Sequence, residues 1–373
     1  MPATILLFPL SNVLGHLTRA FALAEAFDAN GDEVHIVLSR AYPALRALLP
    51  PGIRIHMSPE LALPRSGVSL ASYADGAAAD RANRSRGGPT PAGKSRGERM
   101  KRMIARDAAI VARVRPDIVV ADQRCTPALL PGVAPERLFH VSNMLGYPSF
   151  VRRVSGSLPF PLASGRILVP GISEIEHGGG PGAGPAESLC GMFRWRGWRR
   201  LAGDAPPPPR SDLFLFFGST GNSGRLVPWL LRHLPPHVSV SAIAGAAQSD
   251  GVRRAHIAPR GDLESFLPRA RAAFCHGGHG SVMACIRHQT PMAILPQNIE
   301  QLEIGRQVER LGLGILVRRP VHELGPAELG GIVERLTTDA GIRANLRHYS
   351  ALLGEGDGAG RAVAIVHRGL AGG

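Results

Sequence analysis

The chain has 373 residues, 43 Lys+Arg against 29 Asp+Glu for a formal charge of +14, and 44% hydrophobic residues. At roughly 100–200 residues per domain it is too long for one small module and predicts two medium domains, with enough apolar residue to exclude a wholly disordered chain. The charge invites a nucleic-acid or anionic-membrane partner, yet residues 81–106 hold nine basic side chains and one acid, so this window alone supplies +8 of the +14.

Thr4–Leu10 (TILLFPL) is a short apolar run that ends in a loop of small residues, Ser11–Gly15, and leads into a periodic segment from Leu17 to Phe27. This predicts strand, tight loop and helix. Gly31 closes the helix and Glu33–Leu38 (EVHIVL) is the next strand, an opening βαβ unit of a doubly wound sheet whose first loop faces the ligand crevice. Seven apolar residues cannot cross a bilayer, and no run of about 18 occurs. The first cation, Arg19, lies beyond the apolar stretch, so a secretory leader is not expected. Cys125, Cys190, Cys275 and Cys285 have neither zinc-ribbon nor disulfide-framework spacing. Together these predict a soluble cytoplasmic protein.

Residues 83–98, rich in Gly, Ser, Pro and Arg, predict a loop. Met100–Val114 then carries a helical stripe through Met103, Ile104, Ile110 or Val111, and Val114. Asp117–Ala121 (DIVVA) reads as a strand with Asp122 at its carboxyl end. Residues 176–188 and 203–211 are punctuated by Gly and Pro, and the second stretch precedes a strong strand, Leu213–Phe217. The expected division is a first domain over 1–203, a linker over 204–211 and a second domain over 212–373. Further strands follow at Val238–Ala244, Ala272–Cys275, Met292–Leu295 and Ile315–Val317, with a last helix near 361–368 that crosses back onto the first domain. The expected fold is α/β, two Rossmann-like domains facing across a cleft that holds the site. Arg194–Arg200 (RWRGWRR) sets Trp195 and Trp198 among arginines. Base stacking or a membrane interface is one reading of it, an acceptor pocket or a domain cap another; no nucleic-acid motif accompanies it.

Three loops carry candidate chemistry. Phe214–Asn222 (FLFFGSTGN) runs from strand through a Gly/Ser/Thr loop into a helix, an arrangement that favours a phosphate, although a plain tight turn has the same composition. His276–Ser281 (HGGHGS) places a His, two glycines and a hydroxyl at one strand-to-helix junction, where the backbone approaches a ligand closely. After Pro291–Leu295 come Glu300 and Gln301, an acid and an amide suited to vicinal hydroxyls, or simply an exposed helix start.

The stretch from His256 to Leu316 resembles the donor-binding signature of GT-B nucleotide-sugar glycosyltransferases, the superfamily of UDP-glucosyl/glucuronosyltransferases and macrolide glycosyltransferases. The order of elements is the same: a Pro-containing loop, a strand, HGGxxS, a strand entered at PM, P…EQ and a closing LGLG. Similarity resumes in the first half over Ile5–Leu38 and Arg115–Asp122. It fades across about 55–110 and 145–205, where such enzymes differ with their acceptors.

The resemblance implies a GT-B fold and an inverting, metal-independent transfer of a sugar from a nucleoside diphosphate sugar to a hydroxyl of a small acceptor. It assigns Gly218, Ser219 and Thr220 with His276, Gly277, Gly278, Gly280 and Ser281 to the donor diphosphate, Ile257 and Arg260 to the nucleotide side, and Glu300 with Gln301 to the sugar hydroxyls. His16 is the implied general base and Asp122, in PDIVVAD, the acid that orients it. The chemistry fits, because a hydroxyl nucleophile must lose its proton as it attacks and His titrates near neutral pH. No cofactor beyond the nucleotide sugar and no metal is implied; the acceptor is a small or lipid-linked molecule, with peripheral membrane contact through 81–106.

The chain departs from the pattern where Ile257-Ala258-Pro259-Arg260 replaces a stacking Trp and its Gln, and where Ala284 replaces a ribose-binding Glu. Arg19 stands at a common Pro, so Gly15–Arg19 (GHLTR) resembles the GHxxR of related nucleotide-sugar hydrolases; Arg19 is either a phosphate or acceptor contact or part of a solvated helix face. A hydrolase of related fold therefore remains the alternative function. A non-catalytic anion or nucleic-acid binder carried by the basic window is the other.

Overall fold

Parallel strands covered on both faces are continuous apolar runs rather than alternating ones, and TILLFP behaves in this way. It forms β1 (Thr4–Pro9), whose last five residues are all buried. A computed structural model of the chain describes residues 2–11, 14–58, 96–124, 126–143, 166–177, 187–202, 206–218, 223–244, 255–259, 261–354 and 356–371. Beside β1 lie β2 (Glu33–Leu38), β3 (Arg54–Met57), β4 (Ile118–Asp122), β5 (Leu138–Val141), β6 (Arg166–Val169) and β7 (Glu187–Leu189). They form a seven-stranded parallel sheet of order β3-β2-β1-β4-β5-β6-β7. Its main helices are α1 (Leu14–Ala29) and α2 (Arg96–Val114).

The second sheet repeats the plan with β8 (Ser211–Phe216), β9 (Val240–Ile243), β10 (Ala255–Ala258), β11 (Ala270–Cys275), β12 (Met292–Ile294) and β13 (Gly314–Leu316), ordered β10-β9-β8-β11-β12-β13. Around it are α3 (Ser223–His233), α4 (His279–Arg287), α5 (Ile299–Arg310), α6 (Pro326–Thr338) and α7 (Ala340–Leu353), and α8 (Gly358–Ala371) ends the chain. Each sheet grows outward from its first strand on one side and then reverses. The reversal falls between β1 and β4 in one sheet and between β8 and β11 in the other. In open α/β sheets such switch points, at the carboxyl ends of the strands, are where ligands bind.

The chain divides into two units, the described residues up to Gly197 together with Gly356–Gly373, and Trp198–Glu355. This differs from the division at 204–211: the change of unit falls after Gly197, and α8 packs on α1 of the first unit instead of belonging to the second. Ala359, Ala362, Val363 and Val366 form its buried face. His367 Nε2 lies 2.8 Å from the buried carboxylate of Asp32, and Arg361 Nε donates to the Cys190 carbonyl at 2.6 Å. Trp195 is a packing residue: its ring centroid is 5.1 Å from that of Phe21, and its indole N–H donates to Glu25 at 3.0 Å. Among the described residues no helix is long and apolar enough to cross a membrane.

A histidine pair links β2 and β3. His35 and His56 stack 5.0 Å apart, with His35 Nδ1 2.8 Å from His56 Nε2. Arg113 Nη2 sits 2.8 Å from His56 Nδ1, and a guanidinium only donates. His56 Nδ1 must therefore accept, which makes Nε2–H the donor to His35, whose own Nε2–H meets Glu33 at 3.2 Å. Burial, together with the neighbouring His35 and Arg113, pushes His56 down to about 4. Between pH 6.5 and 4 the unfolded chain takes up a proton that the folded chain refuses, so this residue lowers stability as pH falls through that window. Chemical denaturation of His56→Gln across the window is expected to show a shallower pH dependence than the wild type.

Candidate active site

In the first unit the groups converge at the switch point. Pro9 of β1 pairs with Asp122, the last residue of β4, so the helix that follows β1 begins directly beside the Asp122 carboxylate. His16, in the first turn of α1, places Nδ1 2.8 Å from Asp122 Oδ1. Its side chain keeps 17% of its surface exposed while that of Asp122 keeps 3%. Nε2 of His16 has no partner among the described residues, so the Nδ1–H tautomer leaves a lone pair on Nε2 to take a proton.

Arg19, one turn further along α1, is buried rather than on a solvated face. Its Nε donates to Asp122 Oδ2 at 2.9 Å, its Nη2 to Asp122 Oδ1 at 2.7 Å, and its Nη1 to Asn143 Oδ1 at 3.4 Å. Burial by itself would raise the Asp122 carboxyl. The Arg19 and His16 charges and their hydrogen bonds outweigh it, and the group is held below the usual carboxylate range. Asn143, just beyond β5, went unnoticed in the sequence; its only trace is a polar residue closing an apolar run.

The loop after β4 is anchored from behind. Gln123 has a φ of 58°, a left-handed conformation that sends Arg124 back into the interior. There Arg124 Nη2 donates to both oxygens of Asp107 on α2, at 2.8 and 2.9 Å. Ser58 and Thr126 donate hydroxyls to the same carboxylate at 2.5 and 2.6 Å. The side chains of Arg124 and Asp107 retain 2% and 0% exposure. Asp107 was legible in principle, since it lies between Met103 and Ile110/Val111 on the apolar stripe of α2.

In the second unit, three neighbouring strands end on the expected donor loops: Gly218 follows β8, His276–Ser281 follow β11, and Glu300 with Gln301 begin α5 after β12. His276 is buried and packs its ring against two glycines. A Cβ on Gly218 would lie 3.0 Å from His276 Cε1, and one on Gly278 2.5 Å from Nε2. Gly277, at φ 80°, adopts a left-handed conformation, and a Cβ there would lie 2.5 Å from Ile294. Gly278 caps α4, leaving the N–H groups of Gly280 and Ser281 in its first turn without helical acceptors. Gly280 is exposed and a Cβ there meets nothing within 4 Å, so the first turn of α4 is open at this point.

His276 Nδ1 is a buried polar atom with no partner among the described residues. Burial pushes the His276 imidazole below its ordinary value, and a hydrogen bond to the Phe216 backbone and the Glu300 charge oppose this without overcoming it. With its N–H directed to the Phe216 carbonyl, the ring leaves Nδ1 as a lone pair that can accept from a ligand hydroxyl. Gln301 has a second task. Asn298 caps α5 by accepting from Gln301 N at 3.0 Å, and Gln301 Oε1 accepts from Gln297 N at 2.7 Å. Only the amide N–H groups of Gln301 are left to meet a hydroxyl, whereas half-buried Glu300 lies close enough to His276 to act on it.

Ile257 lies half-buried on β10, the edge strand. Ser219, Thr220 and Arg260 fall outside the described residues, as does the basic window up to residue 95. Within the described part of that window Lys101, Arg102 and Arg106 are exposed, and Met103, Asp107, Ile110 and Val111 form the buried face of α2. Gly278→Ala drives a methyl into the His276 ring. It is expected to weaken nucleoside diphosphate binding, read by calorimetry, by about tenfold, with the unfolding midpoint measured alongside so that lost binding is separated from lost fold.

Residues 240–351 match a family described as Erythromycin biosynthesis protein CIII-like, C-terminal domain. A segment of 100 residues is 29% identical to the NDP-glycosyltransferase YjiC of Bacillus subtilis (strain 168), covering 27% of this chain and 25% of that protein. A segment of 105 residues is 29% identical to a sterol 3-beta-glucosyltransferase of Eremothecium gossypii, covering 28% of this chain and 8% of that protein. The matches thus span a quarter or less of these relatives' lengths. Among solved structures, the glycotransferase of kitacinnamycin superimposes with a TM-score of 0.72 at 16% identity, covering 99% of this chain and 100% of that one. The spinosyn forosaminyltransferase SpnP gives 0.69 at 15%, with 99% of each chain covered. The glycosyltransferase VinC in complex with DTDP gives 0.67 at 17%, covering 99% and 100%. At such identities the likeness establishes the fold.

Proposed function

We propose, from the premise that this chain has the GT-B fold, that it is an inverting glycosyltransferase acting on a nucleoside diphosphate sugar and a hydroxyl of a small-molecule acceptor. The observation that carries the reading is the 2.8 Å bond between His16 Nδ1 and Asp122 Oδ1 at the first sheet's switch point. In the Nδ1–H tautomer, His16 Nε2 takes the acceptor's proton as its oxygen attacks the anomeric carbon. Asp122 fixes the ring and stabilises the imidazolium that forms. The bond from the anomeric carbon to the phosphate oxygen breaks on the opposite face, and the diphosphate leaves with the electron pair.

Charge on that leaving group is met by the N–H groups of Gly280 and Ser281 at the start of α4, preorganised donors that replace a metal ion in this reading, while the His276 ring packs beneath Gly218 and Gly278. Glu300 and the Gln301 amide bind sugar hydroxyls. The relatives' names include NDP-glycosyltransferase and sterol 3-beta-glucosyltransferase, and VinC was solved with DTDP, which favours a nucleoside diphosphate donor here.

The hydrolase reading has one point in its favour, Arg19 at the position of the hydrolase arginine. A panel of nucleotide sugars incubated with and without a mixture of small hydroxylated acceptors separates the two. The proposal expects free sugar to form slowly alone and glycoside to form with acceptor; rapid acceptor-independent release of sugar would replace transfer by hydrolysis.

A further inference from the structure

Asp122 is one carboxylate with two claimants. Arg19 Nη2 lies 2.7 Å from its Oδ1 and 2.5 Å from His16 Nδ1, and that Nδ1 is itself 2.8 Å from the same oxygen. A ring nitrogen carries either a hydrogen or a lone pair, and guanidinium nitrogens only donate. His16 Nδ1 therefore either donates to Asp122 or accepts from Arg19. Only the first arrangement leaves a lone pair on Nε2. The second puts a hydrogen there and removes the base.

Arg19 does not depend on His16 for its own place. Its Nε reaches Asp122 Oδ2 at 2.9 Å and its Nη1 reaches Asn143 at 3.4 Å, so the ends of β4 and β5 fix the guanidinium. The spacing of three residues along α1 puts His16 and Arg19 on one helix face. Among the described residues, the charged groups facing His16 are Arg19 from α1 and Asp122 from β4; the neighbour from β5, Asn143, is neutral. Arginine keeps its charge at every working pH, whereas a histidine beside a lone buried carboxylate is drawn toward its protonated form.

We propose that Arg19 is a positioning residue for the base: it supplies the standing cation for Asp122, so that His16 meets the acceptor neutral, with Nδ1–H held by Asp122 and Nε2 free. This inference rests on the reading of His16 as the base. It gives the arginine of GHLTR a role inside the protein, so the motif's likeness to a hydrolase is not by itself a sign of hydrolysis.

The test is the state of the His16 ring in the full chain, followed by nitrogen-15 NMR from pH 5 to 9 and assigned with His16→Gln. The wild type is expected to show the Nδ1–H neutral tautomer at pH 7.5. Arg19→Met keeps the length of the side chain without the charge, and is expected to raise the midpoint of the His16 titration by about one pH unit or more. Arg19→Lys, which restores charge but not the fork, is expected to bring the midpoint back toward the wild type. Should Arg19→Met fail to fold, Arg19→Gln, with donors but no charge, is read in the same way.

An unchanged midpoint in the uncharged variants, or a wild-type ring with the hydrogen on Nε2, overturns the inference, because a merely packing Arg19 would move neither. These readouts need no turnover. The acid limb of kcat/KM for glycoside formation, measured alongside, is expected to move with the midpoint. A midpoint that moves while the limb stays would uphold the role of Arg19 and overturn His16 as the base.

Discussion

His16→Ala is expected to reduce glycoside formation by about 10²–10⁴-fold, the span that a positioned general base contributes. Nucleoside diphosphate binding should be nearly unchanged, because His16 belongs to the first unit while Gly218, His276 and the start of α4 belong to the second. His16 is partly exposed in the first turn of α1, so its truncation leaves no large core cavity and the fold survives to be assayed. The decisive measurement pairs single-turnover transfer with calorimetric titration of a nucleoside diphosphate. Equal loss in both would make His16 a structural or donor-side residue. Asp122→Asn should fall in the same direction, by up to about 10⁴-fold, because an amide no longer enforces the Nδ1–H tautomer. It also leaves buried Arg19 without its counter-charge, so the transfer rate should be compared at matched folded fraction.

Asp107→Ala is expected to cost about 3–5 kcal/mol of stability, the penalty for leaving one partner of a buried ion pair alone. The Asp107 carboxylate accepts from Arg124 three times and from Ser58 and Thr126 once each, and neither charged side chain reaches solvent appreciably. Removal leaves the Arg124 guanidinium without a counter-charge, held only by the Ser58 and Thr126 hydroxyl oxygens, in a region that excludes water. Domain stabilities are about 5–15 kcal/mol, so the loss is a large fraction of the total. Urea denaturation reads it as a fall in midpoint at unchanged slope. The double variant Asp107→Leu with Arg124→Met removes both charges and should recover most of the loss. If it is as unstable as the single variant, the cluster matters for its hydroxyl hydrogen bonds and packing rather than for charge balance. Because Arg124 follows Asp122 by two residues across the left-handed Gln123, the same loss is expected to loosen the base.

The strong elements were legible because their residues repeat a pattern that only one local structure satisfies. TILLFPL, the VHIVL of EVHIVL, and LFLFF are mostly apolar runs, and each forms an interior strand of its sheet that is largely buried. The helix over 100–114 was read from its stripe and extends back to Arg96. Strands β3, β5, β6, β7 and β10 are not among the expected ones, although β12 and β13 are no longer than these, so length alone does not separate them. Their position comes from sheet pairing, a long-range term absent from any window of sequence.

The chemistry divides in the same way. The residue types and their loops were set locally: His16 after the first strand, Asp122 at the end of PDIVVAD, and the HGGHGS turn whose glycines must be glycines because His276 and Ile294 occupy the space of a Cβ. The opening charge excess also resolves locally, since it is concentrated in one window and the residues at the two switch points contribute little to it. What the sequence left undecided was pairing. Arg19 was equally a solvent-facing residue and a ligand contact until β1, β4 and β5 were side by side. Only then do residues 103 and 124 positions away in the chain, Asp122 and Asn143, close around it. Local spacing determines which groups a loop presents; hydrogen bonds between groups far apart in the chain exist only after the sheet has ordered its strands, and in this protein they set His16, Arg19 and Asp122 within reach of one another.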